Sequence, residues 1–362
     1  MADGKDIRFL IPDRHKPSSR VRVLNLLPVL EAEGLRAQAT ELPDGLFARL
    51  RLYRSLAGAD AVVLQRKLMG PLELFMLRRS VRRLLFDFDD AIFLRDAQPS
   101  RDRPQWGSYS RSRKFIFTAR RCDMVLAGNA YLAEETKTRA GAFVPVELLP
   151  SAVPVTGMPV RDFSIANPLP VVGWTGSRGN LRYLGELSSA LASVARKQPF
   201  VLRVICDASL NLTSVQVENI PWRLDTQEAE MARFDIGLMP LPNTPWTRGK
   251  CSYKLLQYMA AGVPFVASAV GMNVEVADGG AAGLLAEDSL EFGNCLNRLL
   301  GDAALRERLG RRGRELAQER YSLEAVGRRL AVILRGVIAG GKAEKEEARV
   351  VDGDGEEESG QS

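Results

Sequence analysis

The feature that most constrains this chain is a repeated alternation of short, fully apolar runs with longer amphipathic stretches, interrupted once near the middle. In the first half, residues 7–11, 61–64, 84–88, 124–127 and 146–149 read as strands, and 19–34, 70–82, 109–121 and 129–140 read as helices between them. Strands that are apolar at every position must be covered on both faces, so the pattern predicts a parallel sheet wrapped by helices. Between 150 and 170 the alternation stops, because Pro150, Pro154, Pro159, Pro168 and Pro170, with Gly157, suit neither a helix nor a central strand. It then resumes, with strands at 171–175, 201–206, 236–240, 265–268 and 283–286, helices at 179–197 and 252–261, and three helical stretches reaching about 339. The expectation is a domain over 1–150, a linker over 151–170, a second domain over 171–321, a helix over 322–340 and a disordered acidic tail over 341–362. Two doubly wound domains would place their ligands at the carboxyl ends of the strands.

A chain of 362 residues accommodates two such domains, and 46% apolar with 26% charged residues is ordinary for a folded protein. The polar start, Met1 to Lys5, runs directly into a strand, which argues against an export signal; no apolar run reaches the roughly 18 residues needed to cross a bilayer. The expected location is therefore the cytoplasm, with peripheral contact at the inner face of the cell membrane as a further expectation. Cys122, Cys206, Cys251 and Cys295 are far apart and share the chain with a single histidine, so they read as reduced core residues; neither a metal nor a cofactor is expected. Residues 341–362 carry −5, leaving +11 on the rest of a chain whose formal charge is +6. A basic body can face nucleic acid, anionic lipid or phosphorylated small molecules. The absence of a nucleic-acid reading module excludes the first of these partners.

The segment from Asp235 to Ala286 carries the strongest candidate chemistry. A strand leads through a proline-broken loop into Gly249-Lys250-Cys251-Ser252-Tyr253-Lys254, where a helix start offers free N–H groups and a positive dipole end to phosphate. Lys250 and Lys254, four residues apart, are expected on one helical face, with Gln257 a further turn along. A solvated basic face is the plain alternative. A second candidate is the strand and glycine turn 171–184, where Gly176 and Gly179 allow close backbone approach and Arg178 and Arg182 can neutralise phosphate. An exposed turn is its plain alternative.

The stretch Lys254-Leu255-Leu256-Gln257-Tyr258-Met259-Ala260-Ala261-Gly262-Val263-Pro264-Phe265-Val266-Ala267-Ser268 strongly resembles the donor-binding helix and strand of glycosyltransferase family 4. Val270 to Val276, with Asn273, then Gly280 and Gly283-Leu284-Leu285, look like that family's following loop and strand. The resemblance implies an α/β GT-B fold, two doubly wound Rossmann-like domains facing a central cleft, with a nucleotide sugar on the second domain and the acceptor, a saccharide or lipid-linked glycan, on the first. It also implies retention of configuration, no metal, and a terminal helix crossing back to the first domain. The family's two donor-site acids are replaced here by Gly249 and Gln257, as in a variant branch, and its arginine and lysine after the first-strand glycine by Ser177 and Arg182.

In the first domain, Asp87, Asp89 and Asp90 end a buried strand. They admit a metal-binding DxD, the nucleophile loop of a magnesium-dependent haloacid dehalogenase-like phosphohydrolase, an acceptor-side acid cluster facing the cleft, or simple helix capping. The family resemblance implies the acceptor-side reading. His15 is a candidate in the loop after the first strand, where Ser18 or Ser19 is expected to cap the next helix, and Gly128-Asn129 marks a later strand-end turn. Arg78, Arg79, Arg82 and Arg83, with Arg111, Arg113, Lys114, Arg120 and Arg121, lie beside Phe75, Phe115 and Phe117 and are expected to face either solvent or an anionic membrane. The sequence therefore points to a glycosyltransferase, with the phosphohydrolase and a catalytically inactive GT-B binding protein as rivals.

Overall fold

The computed structural model describes residues 4–95, 107–165 and 167–353, with side chains through 340. Among the described residues the first sheet has strands β1 (Asp6–Ile11), β2 (Arg36–Glu41), β3 (Ala61–Gln65), β4 (Leu84–Phe88), β5 (Met124–Ala127) and β6 (Val146–Leu148), in the order β2-β1-β3-β4-β5-β6. Its helices are α1 (Pro17–Arg22), α2 (Leu27–Ala32), α3 (Leu46–Ser55), α4 (Pro71–Ser80), α5 (Tyr109–Ala119) and α6 (Ala130–Ala140). The second sheet has β7 (Val171–Thr175), β8 (Val201–Cys206), β9 (Gln216–Pro221), β10 (Ile236–Met239), β11 (Phe265–Ser268) and β12 (Gly283–Ala286), ordered β12-β11-β10-β7-β8-β9. The helices that follow are α7 (Arg178–Gly185), α8 (Ser188–Lys197), α9 (Gln227–Met231), α10 (Pro245–Arg248), α11 (Tyr253–Ala260), α12 (Met272–Val276), α13 (Ser289–Gly301), α14 (Ala303–Leu316) and α15 (Leu323–Gly353).

Every strand pair in both sheets is parallel. Strand order reverses between β1 and β3 in one sheet and between β7 and β10 in the other, and a doubly wound sheet opens its ligand crevice at such a reversal. The interior strands β3, β4, β7 and β10 are buried throughout, which is why they are apolar at nearly every position. Helix α15 covers the first sheet: Val326, Leu330, Ala331 and Leu334 share a core with Ile7, Phe9 and Ile11 of β1. Its far end departs from the disordered tail expected at 341, since the helix continues to Gly353. The extension follows from the Ala, Glu, Lys and Arg content of 342–349, strong helix formers whatever their charge; residues 354–362 lie outside the described residues.

Three other local expectations are corrected. Helix α1 begins at Pro17 with Lys16 at its N-cap position and no side-chain cap, while Ser19 is buried with its hydroxyl toward Gln65 Oε1 at 3.4 Å. The single helix expected over 19–34 is broken into α1, a short 3-10 turn and α2, where Pro28 occupies a first-turn position it tolerates. The helix expected over 179–197 is likewise split at Glu186 and Leu187.

Candidate functional site

The carboxyl ends of the two sheets meet. Asn129, after β5, caps α6 by accepting from Leu132 N at 2.8 Å, and its Nδ2 donates across the cleft to the carbonyls of Arg248 at 3.3 Å and Lys250 at 3.0 Å. Gly249 sits in this seam: a Cβ built on it would stand 2.8 Å from Ala91 Cβ and 2.9 Å from Ala91 N, so the close approach requires glycine. This corrects the expected role of Gly249. It ends α10 instead of opening α11, and its backbone packs against the first domain.

Helix α11 starts three residues later than Lys250, behind Ser252, a non-glycine residue in the left-handed region (φ 48°). Ser252 Oγ donates to Asn273 Oδ1 at 2.7 Å, and Asn273 Nδ2 donates to the Ser268 carbonyl at 2.9 Å. Asn273 is fully buried, so it positions the helix start and does not face the cleft as expected. Lys250 and Lys254 consequently do not share a helical face: one belongs to the loop and the other to the first turn of α11. They come together nonetheless, each ammonium over an indole, Lys250 at 5.8 Å from the Trp246 ring and Lys254 at 5.6 Å from the Trp174 ring.

Gly176 closes this group from the β7 side. A Cβ there would lie 2.8 Å from Lys254 Cε and 2.7 Å from the Trp174 ring, which brings the two glycine-containing motifs into direct contact. Tyr258, one turn after Lys254, fixes their spacing by accepting from Thr175 N at 3.3 Å and donating to the Leu238 carbonyl at 3.2 Å, thereby tying β7 to β10 at the strand-order reversal. Among the described residues no carboxylate lies within 4.0 Å of the Lys254 ammonium. Burial, reinforced by Lys250, pushes its pKa down to about 8. Arg182 follows on α7, after Gly176; its Nη2 donates to Tyr183 Oη at 2.8 Å, while its buried Nε has no partner among the described residues. Arg178 is already engaged, with its backbone N–H on Asp207 Oδ1 at 2.8 Å and its guanidinium on the Asp207 carbonyl. Ser177 and Gly179 are exposed at the start of α7, and Gln257 is buried one turn along α11 from Lys254.

The facing acids are differently held. Asp87, expected to point into the cleft, is buried, and both its oxygens receive Arg22, which also donates to the Leu149 carbonyl at 2.6 Å. Burial pulls the Arg22 guanidinium down, but Asp87 outweighs it and holds the pKa above its ordinary value. Asp89 and Asp90 do stand at the strand end, both on Arg66 Nη1 at 2.7 Å. Arg66 follows β3 in the left-handed region (φ 59°), with its N–H on the Asp87 carbonyl at 2.7 Å. Desolvation raises the Asp89 carboxyl despite Arg66, and Asp90 adds to the rise. Sequence reasoning missed Arg66; the available signal was a cation directly after a strand neighbouring the acid-bearing one. His15 is exposed, its N–H on Asp13 Oδ1 at 2.8 Å, and is not brought into this group.

Elsewhere, a cavity of about 700 Å³ beside the linker is lined by Arg161, Gly262, Arg311 and Arg314, none belonging to this cluster. Its arginines are spent on Asp235, Glu307 and the Ala260 and Val155 carbonyls. The basic cluster expected on α4 and α5 is also partly spent: Arg78 and Arg83 both pair with Asp123, and Phe115 is a core residue.

Residues 170–302 match the family model described as Glycosyl transferases group 1. No curated protein matches the chain in sequence. Among solved structures, sucrose-phosphate synthase from Thermosynechococcus elongatus superposes with a TM-score of 0.73 at 15% identity, over 93% of this chain and 100% of that one. Anabaena HepE in complex with UDP-glucose gives 0.68 at 15% identity over 91% and 99%. WaaG, a glycosyltransferase involved in lipopolysaccharide biosynthesis, gives 0.60 at 15% identity over 91% and 100%. The fold is thus the GT-B fold, with two Rossmann-like domains across a cleft. Within it, the second domain carries the match to the glycosyl transferases group 1 model.

Proposed function

We propose that this protein transfers a glycosyl group from a nucleoside diphosphate sugar, held by the second domain, to a saccharide or lipid-linked acceptor held by the first. One observation carries the reading: a partly buried lysine, Lys254, has no carboxylate within ion-pair distance among the described residues and sits against Gly176 at the strand-order reversal. A desolvated, unpaired cation is unfavourable alone and becomes favourable when an anion arrives. The donor's diphosphate, with two charged groups that glycine backbone can approach, is such an anion. HepE's complex with UDP-glucose supports the same donor class here.

In the reaction the sugar–phosphate bond breaks and negative charge develops on the departing nucleoside diphosphate. Lys254, Lys250 and Arg182 stabilise that charge from fixed positions, a service that in other enzymes a metal can supply. We therefore expect metal-independent transfer, with retention of configuration. Asp89 and Asp90 border the acceptor, oriented by Arg66. The phosphohydrolase alternative needs Asp87 as an accessible nucleophile, and Arg22 occupies both of its oxygens. A panel of nucleoside diphosphates should include one that raises the melting temperature, by about 2.7 kcal/mol of added stability at a hundredfold excess over Kd, equally with chelator present. Stabilisation by none of them, or only with magnesium, would contradict the proposal.

A further inference from the structure

The first domain exposes a group of large apolar side chains at the starts of two neighbouring helices. Phe47 is 89% exposed, Leu72 69%, Leu46 47% and Phe75 42%. They belong to the starts of α3 and α4, which are pinned together by Arg49 on Glu73 at 3.0 Å and by Tyr53 Oη on the same carboxylate at 2.8 Å. Around them stand exposed Arg51, Arg54 and Arg79, which have no carboxylate partner among the described residues; Arg79 lies over the Phe75 ring at 5.6 Å. Residues 44–55 and 67–79 hold six cations and two acids, and one of those acids, Glu73, is the one already consumed.

Position gives this patch its meaning. Helices α3 and α4 follow parallel strands β2 and β3, so their first turns stand at the carboxyl edge of the sheet, the edge that also carries Arg66, Asp89 and Asp90. Resting on the glycosyl-transfer reading above and naming the carrier of its acceptor, we propose that this rim seats on an anionic lipid bilayer. The aromatic and leucine side chains enter the head-group boundary and the arginines meet lipid phosphates, which opens the acceptor side of the cleft toward a lipid-borne acceptor. A second copy of the chain suits the patch poorly, because it would bring like-charged arginines together. The contact is peripheral: among the described residues no helix is long and apolar enough to cross a membrane.

The test is cosedimentation of the full chain with vesicles of phosphatidylcholine alone or mixed with phosphatidylglycerol. The expected result is binding to the mixed vesicles, weakened by salt and at least tenfold weaker in the combined Phe47→Ser, Leu72→Ser, Phe75→Ser variant. The charge-reversed Arg51→Glu, Arg54→Glu, Arg79→Glu variant should lose binding similarly, and both variants should keep the nucleotide-induced rise in melting temperature that reports folding. Wild-type protein that ignores anionic vesicles, or variants that bind them as wild type does, would overturn the proposal. So would a wild-type dimer, seen by ultracentrifugation, that the serine variant abolishes. Failure of every nucleotide to stabilise the protein, with vesicle binding intact, would instead remove the donor reading and leave the docking surface standing.

Discussion

The two domains present their strand ends to one cleft, yet they treat charge in opposite ways. On the first, Asp87, Asp89 and Asp90 are each matched by an arginine, Arg22 or Arg66, delivered from a neighbouring element. On the second, Lys254 has no carboxylate within 4.0 Å, and the buried Nε of Arg182 has no hydrogen-bonding partner, among the described residues. A satisfied buried charge holds structure, because removing its partner leaves an uncompensated ion. An unsatisfied one is a standing cost that only a ligand relieves. The same fold geometry thus yields a scaffold on one side of the cleft and, on our reading, an anion site on the other.

The largest effect should come from the scaffold side. Arg22→Ala leaves the Asp87 carboxylate buried without a partner, and urea unfolding should show a loss of about 3–5 kcal/mol. A loss below about 1 kcal/mol would mean that the pair is not structural. The seam is next: Gly249→Ala puts a methyl group against the Ala91 backbone, and stability should fall by about 1–3 kcal/mol, the usual cost of overpacking, in the same assay. Stability equal to wild type would show that the seam is loose.

The anion side should answer to pH. With the Lys254 pKa at about 8 in the folded protein and an ordinary value of 10.5 when unfolded, the unfolded chain binds more protons between those limits. This residue therefore lowers stability below pH 8, and the penalty fades as pH rises toward 10.5. Wild-type stability relative to Lys254→Met should increase between pH 7 and 9.5, while nucleoside diphosphate affinity declines over the same range as the free ammonium is lost. A pH-independent difference would contradict the assignment. The smallest effect is expected for Asp89→Asn and Asp90→Asn, which should keep nucleotide affinity within about 0.5 kcal/mol, measured by calorimetry, because they lie on the acceptor side. A larger change would extend the donor site across the cleft.

What could be read in the sequence followed burial. Interior strands such as β4 and β7 are covered on both faces and spell themselves out as apolar runs. The edge strands β2, Arg-Ala-Gln-Ala-Thr-Glu, and β9, Gln-Val-Glu-Asn-Ile-Pro, escaped notice because one side faces solvent and their composition is that of a loop. Helix α3 escaped for a different reason, since Leu46 and Phe47 are exposed while Leu50 and Leu52 are half-buried and Tyr53 is buried, so its apolar residues do not mark out one clean face. In the candidate site, residue types were legible and phase was not. Lys250 and Lys254 were recognised together, but the left-handed turn at Ser252 that separates them depends on Asn273, twenty-one residues away. Arg66 was illegible because a single arginine after a strand has no pattern until β3 and β4 are known to be neighbours.

The contrast between the two sides rests most directly on Lys254, and calorimetry of nucleoside diphosphate binding to Lys254→Met, paired with urea unfolding of the free variant, measures it. The account predicts binding weaker by about 1.5–3 kcal/mol, the scale of a charge-assisted hydrogen bond, together with stability equal to or above wild type at pH 7. Unchanged affinity, or a variant that binds normally and is markedly less stable, would contradict it by making Lys254 a structural residue like Arg22.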